Sequence, residues 1–258
     1  MQDLNVTLIQ ADQIWQDKEA NFSMYESYFE QIKETDLVLL PEMFHTGFSM
    51  AAQELAEEWK SSQGMQFLLH WSKKLNAAIY TSLIIHEKGK YYNRGVFVQP
   101  DEHVDIYNKR KLFSLGRENE FYTPGDQEVI VNFKGWKINL QICYDLRFPE
   151  LIRNRILTDG QPAYDVLLYV ANWPARRIVH WEKLLAARAI ENQCFVIGVN
   201  RVGIDGNNLE YCGSSTGVNA LGEICAIREP YQNGIISFNI EYQKLKNTRL
   251  NLPFLHDL

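Results

Sequence analysis

The chain has 258 residues, 46% hydrophobic and 22% charged, a globular balance long enough to bury a sizeable core. Its 26 basic against 32 acidic residues give a net charge of −6, which argues against nucleic acid as a partner. The longest uninterrupted apolar run, 166–171, is too short to span a bilayer.

Read in chain order, 4–9 is a first strand and 17–35 a helix, with Phe22, Tyr25, Phe29 and Ile32 at helical spacing. A short buried strand at 36–40 ends on Pro41, which cannot donate to a ladder, and Glu42 follows at once. A helix at 64–76 precedes a hairpin of 78–85 and 91–99, and 104–107 continues as a strand. Residues 114–128 read as a polar loop of functional length. The segments 129–133 and 136–142 form another hairpin, 149–157 a helix opened by Pro149, 165–170 a buried strand and 180–193 a helix. Strands at 194–200, 212–219, 223–227 and 234–240 complete the pattern, and the tail 241–258 has little of its own. The order implies a layered α/β or α+β protein, read as one domain over 1–258 with its core at about 2–240.

The N-terminus has no basic stretch followed by an apolar core, so a cytoplasmic protein without a signal peptide or membrane contact is expected. Cys143, Cys194, Cys212 and Cys225 show no CxxC spacing and the six histidines are scattered, so no zinc site or disulfide framework is expected. Cys194, Cys212 and Cys225 read as structural.

Three strand ends are each followed at once by a chemically useful residue: Glu42, Lys109 and Cys143. A thiol is a weak nucleophile until it loses its proton, and a carboxylate within reach can take that proton. An ammonium close by favours the thiolate and can stabilise an oxyanion. Read singly, each has a plainer explanation. Glu42 would be a solvated strand-end charge, Lys109 a surface cation of KRK, and Cys143 a small buried hydrophobe. His45, near Glu42, raises the alternative of a Cys–His pair. Arg188, Glu191 and Asn192, on an apolar helix, are expected to form a buried hydrogen-bond network.

PEMFHTGF around Glu42, YNKRKLF around Lys109, CYDLRFPE at Cys143, ANWP at 171–174 and RAIENQ at 188–193 resemble, in order, the signature segments of the nitrilase superfamily of carbon–nitrogen hydrolases. The phrasing is most similar to its bacterial omega-amidase branch. The resemblance implies a four-layer αββα sandwich, no cofactor or metal, and a homodimer or larger homo-oligomer. It implies Glu42 as general base, Lys109 as stabiliser of the tetrahedral intermediate, Cys143 as nucleophile and the Tyr144 amide as a second oxyanion donor. Choosing Lys109 over Lys111 rests on that alignment. A second pocket glutamate, counted back from Gly125, falls on Glu118, with Glu120 close by. The implied reaction is hydrolysis of the terminal amide of small α-keto acid amides such as 2-oxoglutaramate and 2-oxosuccinamate. Alternatives are an N-carbamoyl or aliphatic amide hydrolase, or a non-catalytic binding protein on the same fold. Such a substrate carries a carboxylate, for which Arg176 and Arg177 are the candidate anchors. Phe44 and Trp173 are candidate pocket walls, and Arg147 is expected to brace the cysteine turn through a carboxylate such as Glu150.

Overall fold

The computed structural model describes residues 2–257. Residues 1 and 258, the ends of the expected domain and tail, lie outside them. The first half runs β1 (Leu4–Gln10), α1 (Lys18–Phe29), β2 (Leu37–Leu39), α2 (Ala52–Leu55), β3 (Glu57–Glu58), α3 (Gln63–Leu75), β4 (Ala78–Glu87), β5 (Lys90–Val98), β6 (Val104–Asn108) and α4 (Glu118–Phe121). Then follow β7 (Ile130–Phe133), β8 (Trp136–Ile142), β9 (Val166–Ala171), α5 (Ile178–Asn192) and β10 (Phe195–Asn200). The last elements are β11 (Val202–Ile204), β12 (Glu210–Cys212), β13 (Thr216–Val218), β14 (Ile224–Ile227), β15 (Gly234–Ile240) and α6 (Tyr242–Asn251).

Two sheets carry the architecture. One has the order β15-β1-β2-β4-β5-β6, with β3 beside β4, and the other β14-β13-β10-β9-β8-β7. Side chains alternate across each strand and so divide between two cores. On β1 and β2, Leu4, Val6, Leu8, Leu37 and Leu39 meet Ile138, Leu140, Val166, Leu168 and Ile197 of the other sheet. Their neighbours Ile9, Val38 and Leu40 face Tyr25, Phe29, Leu68 and Trp71 of α1 and α3. The outer face of the second sheet packs Leu167, Tyr169 and Val196 on Trp181, Leu185 and Ala189 of α5. The result is the layered α/β fold, in the order helix, sheet, sheet, helix.

Several local expectations are corrected. The segment 149–157 makes only a 3-10 turn at Pro149–Leu151. Beyond it the Asn154 side chain donates to the carbonyls of Tyr164 and Asn192, and its amide N–H donates to Asn192 Oδ1. Those bonds replace a helical ladder. Helix α1 stops at Phe29, because 31–35 must return the chain to β2. The run 212–219 breaks at Gly213 and Ser214, both at positive φ, so that β12 pairs with β11 and β13 enters the main sheet. The tail forms α6, docked by Arg249 on Asp165 at 2.6 Å and on the Gln193 and Tyr164 carbonyls. Cys194 and Cys212 are buried, but Cys225 is exposed on β14.

Candidate functional site

Glu42 follows β2, Lys109 follows β6, Cys143 follows β8 and Asn172 follows β9. Strands β8, β9 and β10 are parallel, as are β1, β2 and β4, so these carboxyl ends converge on one crevice. Cys143 opens a 3-10 turn, Cys143–Arg147, with φ at +44°, in the left-handed region. A non-glycine residue held there stores roughly 1–3 kcal/mol of strain, which the surroundings must hold in place. They do so through the buried Asp145 carboxylate, which accepts from the Ile142 N–H (3.0 Å), the Lys111 N–H (2.9 Å) and the Tyr107 hydroxyl (2.8 Å). Arg188 adds two bonds to the Leu146 carbonyl and a third to Glu191, as the network expected on α5.

Lys109 is buried between two carboxylates. Its Nζ donates to Glu42 Oε1 at 2.8 Å and to both oxygens of Glu118 at 3.0 Å, and it stands over the Phe48 ring. Burial works to lower the Lys109 pKa, but Glu118 and Glu42 together outweigh it and hold the ammonium charged. Burial, with Glu42 adding to it and Lys109 opposing, raises the Glu118 carboxyl. The remaining donors are the Phe113 N–H on Glu118 Oε2 (2.6 Å), the Asn172 N–H on Glu42 Oε2 (3.0 Å), and Asn93. Helix α4 is the single turn that brings Glu118 in. Gly125 fixes the loop behind it, for its N–H donates to the Lys109 carbonyl at 2.9 Å and a Cβ there would lie 2.2 Å from the Asn108 carbonyl oxygen. Glu120, the neighbouring choice, pairs with Arg117 at the surface.

The Cys143 thiol points at the Asn172 carbonyl, 3.9 Å away. Burial first, then the charge of Glu42, pushes its pKa well above the usual thiol range, against the pull of Lys109. The resting group is therefore a neutral thiol with a carboxylate and an ammonium nearby.

Cys143 and Lys109 line a cavity of about 260 Å³. Phe48, Met50, Phe113, Tyr144, Trp173 and Tyr211 wall it, and Arg147, Arg176 and Arg177 stand on its lining. Arg177 is half-buried over Phe113, and Arg176 is exposed. Burial, then the charges of Arg176 and Arg147, lowers the Arg177 pKa, so these cations crowd one another. The Asp205 carboxylate, also on the lining, is taken up by the Asn207 and Leu209 N–H groups and the Tyr211 hydroxyl.

Two expectations fail here, and one alternative falls away. Phe44 is no pocket wall, being fully buried in the core between the first sheet and its helices. Phe48, four residues further on, lines the cavity instead. Arg147 does not pair with Glu150. It donates to His180 Nδ1 at 3.2 Å and stacks on Trp173, while Glu150 lies 3.7 Å from Lys111. His45 is enclosed by Phe22, Phe44 and Glu57, away from the cavity lining, so no Cys–His pair forms. Sequence reasoning passed over Asn93, whose one signal was a polar residue inside a buried strand run, and gave Asn172 no role.

An αββα sandwich whose crevice ends on a cysteine beside a lysine clamped by two carboxylates defines a class of hydrolase. The carbon–nitrogen hydrolase family model matches residues 5–250. An omega-amidase, YafV, of Yersinia enterocolitica is 42% identical over 100% of this chain and 97% of its own length. A 2-oxoglutaramate amidase of Bacillus subtilis is 31% identical over 98% and 96%. A crystal structure of a CN-hydrolase superfamily protein from Xanthomonas campestris, with an arsenic adduct in its active site, superposes with a TM-score of 0.97 at 38% identity, covering 100% of this chain and 98% of that one. The chain belongs to the carbon–nitrogen hydrolase family, in the omega-amidase branch of the nitrilase superfamily, and is an amidohydrolase. Among the described residues no helix is long and apolar enough to cross a membrane.

Proposed function

We propose that the chain, acting as one hydrolase domain, hydrolyses the terminal amide of short α-keto acid amides, such as 2-oxoglutaramate and 2-oxosuccinamate, through a thioester on Cys143. The observation that carries this reading is the make-up of the cavity lining. It sets Cys143 beside the Lys109 clamp and also carries guanidinium groups that, among the described residues, have no carboxylate partner. The names of the Yersinia and Bacillus relatives support the same substrate class.

As Cys143 Sγ attacks the amide carbon, Glu42 takes the thiol proton. The carbonyl oxygen becomes an oxyanion held by Lys109 Nζ and the Tyr144 N–H. Glu42 returns the proton to the leaving nitrogen, the C–N bond breaks, and ammonia departs. Water then attacks the thioester while Glu42 takes its proton. The C–S bond breaks, the acid is released, and the proton returns to sulfur. Glu118 holds Lys109 against Glu42 throughout. The substrate carboxylate sits at the arginines, where Arg177 and Arg176 offer bidentate donors and Trp173 an apolar wall.

A substrate panel tests this. Ammonia is expected from 2-oxoglutaramate and 2-oxosuccinamate, with much slower release from a neutral amide of the same length and no carbon dioxide from N-carbamoyl compounds. Preference for the neutral amide or the carbamoyl compound would overturn the substrate assignment.

A further inference from the structure

Lys109 is not the only group that bridges the two carboxylates. Asn93, buried on β5, donates from the same amide nitrogen to Glu42 Oε1 at 2.8 Å and to Glu118 Oε1 at 3.0 Å. These are two of the oxygens that Lys109 Nζ binds, at 2.8 and 3.0 Å. Two nitrogens and two oxygens thus alternate around a closed ring. The pairing of β5 with β6 builds it, because Arg94 lies opposite Asn108 and the Lys109 N–H donates to the Asn93 carbonyl at 3.0 Å. That register sets the two side chains beside each other on the same face. The orientation of the amide is fixed by chemistry. Turned over, it would put a carbonyl oxygen against two carboxylates.

We propose that Asn93 is a positioning residue that holds Glu42 and Glu118 as ionised acceptors, and so sets the pH below which Glu42 no longer serves as base. One ammonium balances only one of two buried carboxylates. The second charge needs neutral donors, or the pair takes up a proton. Asn93 supplies one N–H to each. It does not line the cavity, so it acts on the chemistry through Glu42 and not on substrate. The other titratable groups whose charges reach Glu42 or its clamp are Cys143 after β8, Tyr80 on β4, Tyr122 after α4, and Asp145, which acts on Lys109. None of these donates a hydrogen bond to either glutamate, so none substitutes for Asn93.

This proposal rests on the reading of Glu42 as base, and the test separates the two. Asn93→Leu keeps the volume and removes both donors. The acid limb of its kcat/KM profile is expected to move up by about one pH unit, with kcat up to about tenfold lower below that limb, approaching wild type above it, and KM within about twofold. Iodoacetamide alkylation of Cys143 needs no amide turnover. It is expected to be faster than wild type along the acid limb, where the variant pair takes up a proton before the wild type does, and equal well above it. Should Asn93→Leu not fold, Asn93→Ser, with one donor in place of two, moves both profiles in the same direction by less. A kcat loss with both pH profiles unmoved would make Asn93 merely structural and overturn the proposal. So would a change confined to KM. A shifted alkylation profile in a protein that hydrolyses no amide would uphold Asn93 and reject the amidase mechanism.

Discussion

Two groups of charged residues at the site are built on opposite principles. In the buried cluster, each carboxylate oxygen of Glu42 and Glu118 has a donor from Lys109, Asn93, Asn172 or Phe113. On the lining, Arg176 and Arg177 have no carboxylate within salt-bridge distance among the described residues, and Arg147 has only an imidazole nitrogen. Burial explains the difference. An ion withdrawn from water must be paired by the fold itself, whereas a half-exposed guanidinium keeps enough solvent to wait. The buried cluster is thus fully paired by the fold itself, and the arginines are not.

The sharpest way to break this comparison is Glu42→Gln. Loss of the base is expected to lower turnover by about a thousandfold, within the usual range for general base catalysis. The same change removes the negative charge that opposes the thiolate, so Cys143 alkylation should shift to lower pH. A dead enzyme with a more reactive cysteine is the expected signature. Alkylation that slows instead would contradict the electrostatic account. Lys109→Met tests the clamp. Two buried carboxylates left without their cation should cost about 3–5 kcal/mol of stability, and Lys109→Met/Glu118→Gln should recover part of that loss in a thermal melt. If the double variant melts no higher than the single one, the pairing of Lys109 with Glu118 carries little weight.

Among the arginines, Arg177→Met should raise KM for 2-oxoglutaramate by about 10–100-fold with kcat largely kept, the usual worth of a charge-assisted hydrogen bond. KM for a neutral amide of the same length should not move. An equal rise for both would make Arg177 a structural prop. The smallest effect is expected of Phe44→Leu, a core change costing about 1 kcal/mol in a denaturant melt with KM unaltered. A clear change in KM there would return Phe44 to the cavity wall.

Much of the buried cluster was legible in the sequence because its residues sit where strands stop. Pro41 and Ile142 each end a readable apolar run, and Glu42 and Cys143 are the next side chains, whereas choosing Lys109 over Lys111 needed the family resemblance. Glu118 was readable only by counting from Gly125, and burial separates it from Glu120. What escaped depends on contacts between distant elements. Asn93 matters because β5 and β6 pair in one register, which no local pattern reveals. Arg147 met His180 on α5 and not Glu150 beside it, since the 3-10 turn aims it across the crevice. The segment 149–157 carried helix signals, yet Asn154 bound the end of α5 instead. Helix α6 lacks a strong apolar stripe, and only Leu245 is buried along it, so its pattern was faint.

The measurement that bears most directly on the account is ammonia release from 2-oxoglutaramate by the wild type beside Cys143→Ala. The account predicts release by the wild type and none above background from the variant, whose arginines still bind substrate. Equal release from both proteins would contradict it, because no other thiol lines the cavity among the described residues.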